Sequence, residues 1–204
     1  MQINLSNKTK QLPIINQGFF EYRLVVQPNK EVYNKVLHEK KIFNDAFGEK
    51  LVDQSLPAIT LASFQAKEEM EETIIRYLNR ICIKQTGFMV ELNNYSGYPP
   101  HSIYLRVQNP QPFNQLAKEL EVINNYIGSC ACPPVQVTSN PHIGIASSLN
   151  ETIYRQALMN YGQKTFHEIF MVSELLLVRK NHEYDMEKSI NIFRFKPADK
   201  TLYN

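Results

Sequence analysis

The chain has 204 residues, of which 43% are hydrophobic, 21% charged and 11% aromatic, and its 22 Lys and Arg against 20 Asp and Glu leave a net charge of +2. That is enough chain to bury a core as one domain or two small lobes, and a balance this even excludes binding of duplex DNA through bulk charge. Three cysteines, an odd number, do not make a secreted disulfide scaffold. No apolar run approaches the roughly 18 residues of a membrane span, and the opening MQINLSNKTKQLPI lacks the apolar stretch of a secretory signal. A globular, cytoplasmic protein is expected.

Residues 1–18 are polar and punctuated by Pro13 and Gly18, and read as a leader that packs late or loosely. Residues 19–27 (FFEYRLVVQ), aromatic and β-branched and closed by Pro28, predict a strand. Val32, Val36, Phe43 and Phe47 then recur at spacings of 4, 7 and 4, one face of a helix that Gly48 stops. A strand over 56–64 follows, then a helix over 68–81 with Met70, Ile74, Tyr77, Leu78 and Ile81 as its apolar stripe. Residues 88–92 read as a short strand closed by the turn-rich NNYSGYPP of 93–100. The order then restarts. A strand over 103–107 leads to a single helical face through Phe113, Leu116, Leu120, Ile123 and Ile127, ended by Gly128. A strand over 141–148, a helix over 150–161 capped by Asn150, one or two strands within 166–178 and a final edge strand over 189–195 complete the chain.

The repetition extends to residues. Segments 57–64 (PAITLASF) and 141–148 (PHIGIASS) agree at four of eight positions, 84 residues apart, and Val26-Gln27 and Val107-Gln108 match 81 residues apart. Two windows with nearly one offset, each inside the same order of strands and helices, predict an internal duplication with repeats of about 19–98 and 99–180. Residues 19–204 are then one α+β domain, bilobal, with two antiparallel-rich sheets facing each other around a pseudo-twofold cleft and helices outside. Each half is expected to form its own sheet, with a ligand in the cleft between them.

On a strand, residues i and i+2 share a face. Ala58 and Thr60 therefore form one pair and His142 and Gly144 the equivalent pair, while Ile59, Leu61, Ile143 and Ile145 face the core. These residues resemble the 2H phosphoesterase superfamily, the bilobal group that includes the bacterial 2′-5′ RNA ligase-like proteins. Its hallmark is a His-x-Thr/Ser-x motif repeated once per lobe, usually after Pro and before an apolar residue, and the resemblance spans residues 19–195. It implies metal-free acid–base chemistry: one His takes a proton from the attacking water or hydroxyl, the other protonates the leaving oxygen, and the hydroxyls donate to the phosphoryl oxygens. Here Ala58 stands in place of the first His and Gly144 in place of the second hydroxyl, which leaves His142 and Thr60. Losing one positioned acid or base costs roughly 10²–10⁴ in rate, so two-histidine catalysis is not expected.

The other residues weighed for the cleft are weaker. His101, at the start of a strand, is the candidate auxiliary proton carrier, against the plain reading of an exposed histidine; Tyr104 and Arg106, alternating on one strand, are candidates to stack on a base and meet a phosphate. Tyr95 and Tyr98 share the stacking reading. His38, His167 and His182 read as surface residues and Cys130-Ala131-Cys132 as loop. No metal-ligand spacing and no Gly-rich phosphate loop occur, so neither a metal nor a cofactor is expected. The implied function is a 2′-5′ RNA ligase-like or cyclic phosphodiesterase-type protein, a monomer that holds a nucleotide, cyclic phosphate or RNA end in the cleft with catalysis weak or lost. The alternative is a non-catalytic nucleotide- or RNA-binding module, or a protein-interaction module, on the same fold.

Overall fold

The computed structural model describes residues 18–48, 52–99, 101–180 and 186–197. The expected leader, apart from Gly18, and His182 lie outside them. Strand β1 (Phe19–Val26) leads into α1 (Lys30–Phe47), whose first turn is capped by Asn29 Oδ1 accepting from Val32 N at 3.0 Å. After β2 (Ile59–Lys67), a 3₁₀ turn over Glu68–Met70 winds into α2 (Glu71–Cys82). The segment expected to be a turn is strand: β3 runs Phe88–Tyr98, and Ser96, Gly97 and Tyr98 pair with Tyr104, Ile103 and Ser102 of β4 (Ser102–Val107). Its turn-forming residues serve other purposes. Asn94, at φ 57°, makes a bulge that Asn tolerates, and Gly97 leaves room for Tyr154, whose hydroxyl would lie 2.5 Å from a Cβ there.

The single helix expected over 113–127 is two, α3 (Gln111–Glu119) and α4 (Glu121–Ser129), broken at Leu120. The Leu120 amide bonds both Leu116 and Ala117, a tightened turn that keeps Phe113, Leu116, Leu120, Ile123 and Ile127 on one buried face. A two-residue strand, β5 (Gln136–Val137), precedes β6 (His142–Ala146); α5 (Glu151–Tyr161) is capped by Asn150 as expected, Oδ1 accepting from Ile153 N at 2.9 Å. Strands β7 (His167–Val172), β8 (Glu174–Lys180) and β9 (Lys188–Arg194) finish the chain, with β9 at a sheet edge.

The strands form two antiparallel sheets, β5-β2-β1-β8-β9 and β6-β4-β3-β7. The halves do not each make their own sheet, as the sequence reading expected. Strand β3 of the first half pairs with β4 of the second, and β8 of the second pairs with β1 of the first. The helices interlock in the same way, with α1 against β6 and β7 and α3 against β2. One apolar core runs through both sheets and their helices, so neither half buries its own surface alone.

The duplication is written into the sheet register. Leu24 pairs with Ala62 and Val25 with Thr60, leaving Leu61 as an extra residue; Ile103 pairs with Ala146 and Tyr104 with Gly144, leaving Ile145 extra. The same bulge therefore recurs at the 84-residue offset of the motif strands, and it equates Val25 with Tyr104. The Val26-Gln27 and Val107-Gln108 match, at 81, is out of step with this register by two residues.

Candidate functional site

Ala58 and Thr60 point away from the core face that Ile59 and Leu61 fill. Thr60 lies opposite Val25, which lies opposite Leu176. Ala58 is 9% exposed and packs in a small apolar cluster with Val25, Val178 and Leu176, so the first histidine slot is dry and carries no proton. Two residues from Val25 on the same face, Arg23 forms an ion pair with Glu187, Nε to Oε1 at 2.8 Å. The sequence reading did not single out Arg23, because its partner is 164 residues away.

On the second sheet His142 lies opposite Arg106 and Gly144 opposite Tyr104, so all four share one face. The His142 ring sits 4.6 Å from the Tyr104 ring, and Asn140 Nδ2 donates to the Tyr104 hydroxyl at 3.3 Å. His142 Nδ1 is 2.7 Å from the Asn140 carbonyl oxygen. A carbonyl only accepts, so Nδ1 carries the hydrogen of this bond. Tyr104 and Arg106 are thus brought to His142, with Arg106 exposed and its Nη2 3.4 Å from Gln108 Oε1.

Gly144 is not an unfilled slot. A Cβ built there would collide with Asp53 Oδ2 and lie 2.9 Å from its Cγ. The segment that carries Asp53 docks on the edge of β6: Val52 bridges Ala146, and Asp53 N donates to Ile145 O at 3.0 Å. Lys40, 5% exposed, holds the segment by donating to the Asp53 and Ser55 carbonyls at 2.7 Å each, with Nζ 3.7 Å from Asp53 Oδ1. Burial lowers the Lys40 ammonium below the usual lysine range, and the Asp53 charge opposes that shift. Asp53 Oδ1 accepts from Ser55 N at 2.8 Å. A carboxylate thus occupies the position where the resemblance places a hydroxyl. Nothing in the local sequence near 53 signals this, since the contact crosses from the first half to the second.

The counterpart on the other sheet is Thr138. Val137 pairs with Ala62, and Thr138 N donates to Leu61 O at 2.9 Å, four residues before His142. Strands β2 and β6 lie against each other, which brings the Thr60 and His142 strands together where the two sheets meet.

The remaining candidates are placed elsewhere. His101 sits in the β3–β4 turn, its amide donating to Tyr98 O at 2.7 Å, five residues along β4 from the Arg106 that faces His142. At about 3.3 Å per residue that is roughly 17 Å, and His101 is not brought to the site. Tyr98 stacks on His101 at 6.4 Å, and Tyr95 packs inward on Tyr161 and Phe166. His167 bonds Glu91 at 3.0 Å and, with His38, lines a separate cavity of about 510 Å³ between α1 and the start of β7. Cys82, Cys130 and Cys132 are free thiols. Among the described residues no three His, Cys, Asp or Glu side chains cluster as metal ligands would, and no helix is long and apolar enough to cross a membrane.

No curated protein sequence matches the chain significantly. Among solved structures, the TT0787 protein of Thermus thermophilus superposes with a TM-score of 0.68 at 16% identity, covering 87% of this chain and 98% of that one. E. coli LigT complexed with 3′-AMP does so at 0.66, also at 16% identity and with the same coverage, and LigT complexed with NADP+ at 0.62 and 17% identity. Identities this low establish the shared fold. The family model of the 2′-5′ RNA ligase superfamily matches residues 33–183, most of the chain and both motif strands, and the chain belongs to that superfamily.

Proposed function

We propose that the protein holds the phosphate of a nucleotide, a cyclic phosphate or an RNA end in the cleft between the two sheets, with catalysis slow because a single histidine carries it. The observation behind this reading is the His142 ring: Nδ1–H is tied to the Asn140 carbonyl at 2.7 Å, which in the neutral ring leaves Nε2 free to act as a base. Thr60 supplies the hydroxyl that donates to a phosphoryl oxygen. LigT, of the same fold, has been crystallised with 3′-AMP, NADP+, ATP and phosphate, which supports a nucleotide as the ligand class.

In this reading His142 Nε2 takes the proton of the attacking water as its oxygen bonds phosphorus. The ester bond to one ribose oxygen breaks, and that oxygen takes its proton from solvent, because Ala58 holds none. Lacking the second proton carrier lowers the rate by roughly 10²–10⁴ relative to a two-histidine site. Three free cysteines and the even charge support a cytoplasmic location.

The test is hydrolysis of 2′,3′-cyclic phosphates and 2′-5′-linked oligonucleotides under metal chelation, comparing the chain with its His142→Ala variant. Slow turnover that disappears with His142 is the expected result. No turnover in either protein overturns the catalytic part. Saturable binding without turnover then selects a non-catalytic nucleotide- or RNA-binding module, a reading favoured by the apolar packing of Ala58. Absence of binding leaves the fold as a protein-interaction scaffold.

A further inference from the structure

The cleft carries a fixed negative charge where a phosphate-binding hydroxyl is expected. Asp53 Oδ2 lies where a side chain at Gly144 would begin, beside Tyr104 and two residues from His142. The carboxylate is anchored: Oδ1 accepts from Ser55 N, and the segment is tied by its backbone to β6 and to Lys40. Lys40 does not cancel it by direct bonding to Oδ2. Its ammonium donates to two backbone carbonyls and stands 3.7 Å from Oδ1. Among the described residues Oδ2 accepts no hydrogen bond, so it is available to a ligand.

An oxygen with two free lone pairs binds a donor and repels an anion. Resting on the proposed ligand class, we infer that Asp53 is a specificity-determining residue: it accepts a hydrogen bond from a neutral group of the ligand, such as a ribose hydroxyl, and selects singly charged phosphodiesters, cyclic ones included, over phosphomonoesters. A monoester carries about −1.5 to −2 charges at neutral pH. Beside Asp53 its second charge meets a carboxylate, whereas a diester turns its single charge toward Thr60; Arg106, exposed on the face of His142, attracts either ligand. The same residue would speed release of the monoester that cyclic phosphate hydrolysis produces. Asp53 is supplied by the segment before β2, and Gly144 is what lets it enter.

The test is calorimetric binding of adenosine 2′,3′-cyclic phosphate and 3′-AMP at pH 8 to the full chain, to Asp53→Asn and to Asp53→Ala/Gly144→Thr. Asn keeps an oxygen for the Ser55 amide and removes only the charge. The expected result is at least tenfold tighter binding of the cyclic ligand by the wild type, and at least a tenfold gain for 3′-AMP alone in Asp53→Asn. An unchanged ratio between the two ligands in Asp53→Asn overturns the inference, as does a wild type that binds both equally. Should the wild type bind neither ligand, the proposed function fails. A gain of 3′-AMP binding in Asp53→Asn would then still establish the charge filter, and no gain there would overturn it too.

Discussion

Asp53 and Thr138 are mates across the pseudo-twofold axis. The Asp53 amide donates to Ile145 O at 3.0 Å on the edge of β6, and the Thr138 amide to Leu61 O at 2.9 Å on the edge of β2. Each comes from the segment before its own half's motif strand and docks on the motif strand of the other half, beside Ala146 and Ala62. The tethers start from matched positions, 40 and 124, but hold different points of their segments. Lys40 binds the carbonyls of 53 and 55, and Asn124, 84 residues on, accepts from Val135 N at 3.0 Å. Gly144 and Asp53 are therefore coupled in space, because the carboxylate at 53 occupies the room that a side chain at 144 would fill.

That pairing predicts strong coupling. Gly144→Thr sets a Cβ into Asp53 and should destabilise the fold by about 1–3 kcal/mol through overpacking. Asp53→Ala in the same chain should recover most of the loss. A double-mutant cycle from denaturant unfolding should show an interaction energy of about 1 kcal/mol or more. Additive single effects would mean that the two residues are independent.

Thr60→Val separates chemistry from packing. Thr60 lies opposite Val25 and is not part of the buried core, which Ile59 and Leu61 hold, so stability should stay within about 1 kcal/mol of the wild type. Turnover of a cyclic phosphate, if Thr60 donates to the phosphoryl oxygen, should fall roughly 10²–10³-fold. A drop in melting temperature that accounts for the lost activity would assign Thr60 to the sheet alone.

The elements legible in the sequence are those whose signals are local. Asn150 caps the helix that follows it, and the PAITLASF and PHIGIASS windows locate the two motif strands and their duplication. Residues 93–98 misled because Asn and Gly mark turns and also serve bulges and close approaches. Asn94 takes a left-handed φ within the strand, and Gly97 admits Tyr154. The exchange of strands between halves leaves no local trace, since β3 looks the same whether it pairs within its half or outside it. The candidate site divides the same way. Thr60, His142, Ala58 and Gly144 follow from the repeat, Tyr104 and Arg106 from strand alternation. Asp53, Arg23 and Lys40 enter only through long-range contacts.

Lys40 tests whether the Asp53 segment is held by its tether. Lys40→Met keeps the length of the side chain and removes the donor, leaving two carbonyls without their 2.7 Å partners. The expected loss is about 1–3 kcal/mol, with faster hydrogen exchange confined to the Asp53 amide and its β6 neighbours. Uniform acceleration across both sheets would instead show that Lys40 supports the whole fold. The sign with pH is also set. Because burial lowers the folded-state value of Lys40, the folded chain binds this proton less tightly than the unfolded one, and this residue's contribution to stability rises with pH through the window just below the ordinary lysine value near 10.5.

At high pH the tyrosines act in the opposite direction. Tyr22 is pushed up to about 12, chiefly by burial, with the Arg179 hydrogen bond opposing and the Glu71 charge adding to the shift. Tyr95 and Tyr161 are raised by burial and by Glu39. Each folded-state value lies above the unfolded value near 10, so the fold favours the neutral phenol. That stability is fully present below about pH 10 and is lost as the pH rises toward about 12, where the unfolded chain has already released its proton. Tyr22→Phe removes one such group together with its 3.0 Å bond to Glu71. It should cost about 1 kcal/mol at pH 8 and make the fall in stability between about pH 10 and 12 shallower by up to about 1.4 kcal/mol per pH unit. Urea unfolding at pH 8, 10 and 11 measures both quantities. An unchanged slope would show that Tyr22 ionises in the folded chain as easily as in the unfolded one, and that the alkaline loss belongs to Tyr95 and Tyr161.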